Sequence, residues 1–185
     1  MTDEDRKTVL IVEDEEALAQ SYQLHLEDDY ETVIATNGGQ ALAKLGPDID
    51  LVLLDRRMPG MAGDDVLKRI DEWELDFQIV VVSAIDPDMD IIDLPFDGYL
   101  TKSVSKDELL AAVERAFLKE RYEECISEYN AAAETYDVLR SEYAQTELDG
   151  KDEFVALEER LESLEAEIHD IVDDLDESTI TNVFD

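Results

Sequence analysis

At 185 residues with 44% apolar content, the chain suits one core-bearing domain, or one domain with an appendage. Fifty acidic residues against 15 basic ones give a net charge of −35; such a surface stays hydrated in molar salt, where the Debye length falls to roughly 3 Å, and implies a halophilic setting. One cysteine, Cys125, excludes an internal disulfide, and apolar runs such as residues 79–82 are far too short to span a bilayer, so a soluble, cytoplasmic protein is expected.

In chain order, residues 8–12 (TVLIV) read as a strand buried on both faces, followed by a helix over 15–27 with Ala17, Leu18, Tyr22, Leu24 and Leu26 at helical spacing. Residues 31–36 predict a second strand, ended by Asn37-Gly38-Gly39, and 40–45 a short helix stopped at Gly46-Pro47. Residues 50–55 predict a third strand, 63–72 a helix, 78–84 a fourth strand and 98–102 a fifth. Between the last two, the proline-flanked segment 86–97 is expected to hold a further helix. Strands alternating with helices at this spacing imply βαβ units: an α/β, doubly wound, five-stranded parallel sheet of the flavodoxin type.

From Ser105 the pattern changes. Ser105 and Glu108 form a capping-box signature, and the helix they open shows no evident stop before Gly150. Tyr122, Ile126, Tyr129, Ala133, Tyr136, Leu139 and Tyr143 recur at threes and fours, as do Phe154, Leu157, Leu161, Leu164, Ile168, Ile171 and Leu175. Both stretches are heptad-like and predict an all-α helical hairpin or coiled-coil pair. The expected domains are 1–118 and 119–185.

Doubly wound sheets place their sites at the carboxyl ends of strands. Those ends carry Glu13 and Asp14, Asp55, Ser83 and Lys102. Three adjacent carboxylates repel, and a hard divalent cation with oxygen ligands relieves that repulsion; Mg²⁺ suits a site with few carboxylates and a phosphate. A carboxylate beside Mg²⁺ and a lysine can attack phosphorus, with the lysine and a hydroxyl such as Ser83 stabilising the transferring oxygens. The bland alternatives are a loop-capping role for Asp55 and a helix N-terminal acidic pair for Glu13-Asp14. His25 and His169 lack partnered ligand spacing.

Glu13-Asp14, LLDRRMPG (53–60), Ser83-Ala84 and GYLTK (98–102) together resemble the receiver domain of two-component response regulators, over about residues 7–118. The resemblance implies that Asp55 is the phosphoacceptor for a sensor histidine kinase. It implies that Asp14 and Asp55 bind Mg²⁺ directly, Glu13 through water, and the backbone carbonyl of Arg57 completes the set. Lys102 would pair with the phosphoryl group, Ser83 would be the switch hydroxyl and Tyr99 the aromatic that moves with it. The family usually carries proline after the lysine, often behind a cis bond; here that residue is Ser103. The acidic helical extension, with DRRMPGMAGD and DPDMDIID, resembles haloarchaeal regulators carrying a HalX domain. This predicts a signalling switch rather than a metabolic enzyme, with output through the C-terminal helices and a possible homodimer there.

Two rival functions have weaker support. A DNA-binding regulator is the alternative that the resemblance raises, but residues 104–185 hold 7 basic and 25 acidic residues and offer no basic patch to phosphates. A hydrolase of the dehalogenase type needs an acidic residue two positions after the nucleophile, where this chain has Arg57. A phosphorylation-independent interaction adaptor is a further alternative.

Overall fold

The computed structural model describes residues 6–73, 75, 77–84, 94–148 and 150–181. Strands β1 (Thr8–Val12), β2 (Glu31–Ala35), β3 (Leu51–Asp55), β4 (Gln78–Ser83) and β5 (Gly98–Thr101) form one sheet in the order β2-β1-β3-β4-β5. Every pairing is parallel. The helices are α1 (Glu16–Leu26), α2 (Gly38–Lys44), α3 (Gly63–Glu72), α4 (Lys106–Glu142), α5 (Gln145–Leu148) and α6 (Asp152–Thr181).

The central strands are apolar on both faces because both faces are covered. Every residue of β3 and β4 is buried, whereas the edge strands β2 and β5 are only partly so. Leu10, Val12, Val52, Leu54, Ile79 and Val81 join one core with Val66, Leu67 and Ile70 of α3. The alternate positions Val9, Ile11, Leu51, Leu53, Val80 and Val82 are equally buried and lie on the opposite face. Helix α1 buries Ala19, Tyr22 and Leu26, and the first turns of α4 bury Leu109, Val113 and Ala116. Each buried Leu, Ile or Val among these contributes roughly 1.5–3 kcal/mol by leaving water. Successive strands run from β1 out to β2, then back past β1 to β3, so the direction of winding reverses between β1 and β3.

The chain separates into two compact units, Met1–Ala116 and Phe117–Asp185. In the second, Cys125, Leu164 and Ile171 are buried together with Tyr122, Tyr129, Ile168 and Leu175 packed against them. Tyr136 stacks on Phe154 with ring centres 5.3 Å apart, and Arg121 to Glu167 (2.7 Å) and Arg160 to Glu128 (3.0 Å) flank this seam.

Several expectations change. The helix opened by the Ser105–Glu108 box ends at Glu142 rather than running to Gly150; Ala144 N–H instead meets the Glu147 carboxylate, which opens the short α5. In the part of α4 after Ala116 the buried positions are Cys125 and Ala132, with Ile126 and Ala133 only flanking, and Tyr143, just past the helix, is exposed. The seam therefore runs Tyr122, Cys125, Tyr129, Ala132, Tyr136, Leu139, a stricter alternation of threes and fours than the predicted one. Of the helix expected in 86–97, residues 86–93 lie outside the described residues, and 94–97 are not helical.

Candidate functional site

The reversal between β1 and β3 leaves a crevice at their carboxyl ends, and the candidate residues gather there. Glu13 directly follows β1, where its N–H donates to Ala35 O (3.0 Å) and holds it beside β2. Asp55 ends β3, Ser83 ends β4, and Lys102 directly follows β5. Glu13 and Asp55 are buried, while Asp14 is exposed. One carboxylate oxygen from each of Glu13, Asp14 and Asp55 lies within 4.8 Å of the others.

Lys102 bridges two of these acids. Its Nζ lies 2.7 Å from Glu13 Oε2 and donates a hydrogen bond to Asp55 Oδ2 at 2.9 Å. The other oxygen of Asp55 accepts from the Arg57 N–H at 2.9 Å. Burial raises the Glu13 pKa, opposed by Lys102 and reinforced by the nearby Asp55 charge. Burial pulls the Lys102 ammonium down, but its contacts and charges with Glu13 and Asp55 outweigh it, and its pKa is raised. Burial also raises the Tyr22 phenol of α1, which feels Lys102, Glu13 and Asp55 electrostatically.

The donor set fits a hard divalent cation. Glu13 Oε2 is buried with the Lys102 ammonium 2.7 Å away, and no other donor reaches it among the described residues. An all-oxygen group with one solvent-facing member leaves room for water ligands, as Mg²⁺ requires.

The other expected residues divide. Ser83 is fully buried on β4, one step beyond the Asp55–Val82 pair, and Lys102 N–H donates to its carbonyl at 2.7 Å. Tyr99 pairs in register with Val81, two residues short of the strand end, and packs edge-on against Phe96 at 5.9 Å. The Arg57 side chain is exposed and its backbone N–H faces Asp55. The Lys102–Ser103 peptide bond is cis. Arg56, next to the acceptor, is buried and paired with Asp64; sequence reasoning did not find that partner, whose signal was an acid in the first turn of α3.

Comparison with known proteins agrees with this geometry. Residues 9–114 match the response regulator receiver domain, and 119–184 match the HalX domain. A putative transcriptional regulator of Haloferax volcanii is 39% identical over 162 residues, which cover 87% of this chain and 28% of that protein. The sensory transduction protein RegX3 of Mycobacterium tuberculosis is 38% identical over 117 residues, 60% of this chain and 51% of its own. The chain thus spans about half or less of the length of these relatives. A CheY-like receiver domain from Methanospirillum hungatei superposes with a TM-score of 0.58 at 27% identity, covering 63% of this chain and 98% of its own. The response regulator TrrA of Thermotoga maritima, solved in complex with Mg²⁺ and BeF, gives 0.53 at 34% identity, covering 60% and 98%. No helix among the described residues is long and apolar enough to cross a membrane. The chain belongs to the response regulator receiver family, its receiver domain being followed by a HalX domain.

Proposed function

We propose that Asp55 accepts a phosphoryl group from a sensor kinase phosphohistidine, making the chain a switch of a two-component relay. The supporting observation is the Lys102 ammonium held between Asp55 and Glu13, at 2.9 and 2.7 Å, where three carboxylates converge. A carboxylate oxygen of Asp55 forms the new bond to phosphorus as the bond from phosphorus to the histidine nitrogen breaks. Lys102 neutralises the charge spreading over the phosphoryl oxygens, and the Arg57 N–H orients the attacking carboxylate. Asp14, Asp55 and, through water, Glu13 would hold Mg²⁺, with the Arg57 carbonyl completing the set. The cation, when bound, offsets charge on both carboxylate and phosphate. The Ser83 hydroxyl then bonds the phosphoryl group, and Tyr99 moves with it. The kinship with TrrA, solved with Mg²⁺ and BeF, supports this assignment.

The reading takes 1–118 as the switch and 119–185 as its output, with no metabolic turnover and a cytoplasmic setting. Exposed Val138, Tyr143, Val155 and Val172 on the helical extension favour output through homodimer formation. A DNA-binding output draws support from the Haloferax relative's description as a putative transcriptional regulator, and is opposed by the 25 acidic against 7 basic residues of 104–185. Acetyl phosphate with Mg²⁺ in molar KCl tests the assignment: intact mass shows a phosphoryl adduct in the parent and none in Asp55→Asn. A parent that stays unmodified both there and with a cognate kinase refutes it.

A further inference from the structure

One residue from Asp55, a buried guanidinium takes no part in that chemistry. Arg56 is 4% exposed, yet its partner Asp64 keeps a third of its side chain in solvent. Arg56 Nε lies 2.8 Å from Asp64 Oδ1 and Nη2 lies 3.2 Å from Oδ2, a fork-on-fork pair. Buried ion pairs gain little net stability against the cost of desolvation, so the placement of this pair calls for another reason.

The pair joins Arg56 at the start of the loop 56–62, which links β3 to α3, to Asp64 in the first turn of α3. The Gly63 N–H donates to Arg56 O at 3.0 Å, closing the same loop through the backbone. A Cβ on Gly63 would lie 2.4 Å from Asp55 O and 2.8 Å from Arg56 Cα, so the start of α3 is seated directly on the acceptor's main chain. Between these fastenings the Arg57 N–H reaches Asp55 Oδ1.

We propose that Arg56 is a positioning residue: by gripping Asp64 with both arms it holds the 56–62 loop so that the Arg57 N–H stays aimed at Asp55, and so sets the divalent-cation affinity of the Glu13–Asp14–Asp55 group. This rests on the metal-dependent phosphoacceptor reading above. Lysine at 56 keeps the charge but cannot fork, and asparagine at 64 keeps the shape but not the charge.

The test titrates full-length protein with Mn²⁺ in molar KCl, counting free ion by electron paramagnetic resonance, with D14N defining the specific site. R56K and D64N should each bind about 10-fold more weakly, as outer-shell partners of metal ligands do, and the double variant no more weakly than either. Arg57 amide exchange should accelerate in both while Leu53 of β3 stays protected. Affinities within twofold of the parent, additive losses, or equal acceleration at Leu53 and Arg57 overturn the inference. So does loss of a cooperative melt in both variants, which would assign the pair to folding alone. If parent and D14N bind alike, the metal-site reading itself fails; if they differ while R56K and D64N match the parent, only this inference does.

Discussion

Lys102 and Asp55, 47 positions apart in sequence, are joined by a 2.9 Å hydrogen bond, and the same ammonium reaches Glu13. The lysine thus occupies by charge the place a divalent cation would share. Removing it should therefore cost stability most where no cation is present. In Lys102→Ala, the metal-free protein should melt several degrees lower, because like charges lose their internal counter-charge. Saturating Mg²⁺ should restore most of that loss. Thermal melts with EDTA and with Mg²⁺ check this, and an equal deficit in both conditions counts against it.

Gly63 has no room for a side chain, since its Cβ would sit 2.4 Å from Asp55 O. Gly63→Ala should destabilise by about 1–3 kcal/mol, the usual range for overpacking, and slow adduct formation at Asp55. Gly46, where a Cβ meets nothing within 4 Å, is the matched control. Gly46→Ala should stay within roughly 0.5 kcal/mol of the parent in urea melts.

Tyr30 carries a phenol pushed up to about 12, chiefly by burial, with Glu114 and Asp29 adding repulsion. The raised value means the fold favours the neutral phenol. The associated stability is therefore complete below the ordinary value near 10 and is lost as pH rises towards 12. Absorbance at about 295 nm should show a late-ionising tyrosine that Tyr30→Phe removes. That variant should also lose part of the alkaline fall in melting temperature.

In the helical unit, Leu164 is 6% exposed and Val138 60%. Leu164→Ala should cost about 2–5 kcal/mol, as buried Leu deletions do. Val138→Ala should be neutral for the hairpin fold, yet weaken any homodimer formed through that surface. Circular dichroism melts and sedimentation at matched salt separate the two effects. Unchanged sedimentation, where the parent is dimeric, removes Val138 from the interface.

The sheet was legible because its central strands are buried on both faces and read as unbroken apolar runs, as at 51–54 and 79–82. The site followed from topology, since Glu13, Asp55, Ser83 and Lys102 are where their strands end. The seam of α4 was not legible in full. Cys125 stands beside Ile126 and Ala132 beside Ala133, so apolarity alone does not choose between neighbouring positions. Nor was the Arg56–Asp64 pair, because two adjacent arginines follow the acceptor and several acids follow them, and only the folded loop shows which arginine turns inward and which acid it meets.

Phosphorylation adds about −1.5 to −2 of charge to a chain already carrying −35. In molar salt, where fields decay within roughly 3 Å, so small an increment is invisible at a distance. The message has to be read by touch. Lys102, within 3 Å of both Asp55 and Glu13, stands inside that range. On the proposed function, signalling in a protein of this composition would turn on how the lysine is shared between the two carboxylates rather than on how negative the surface is.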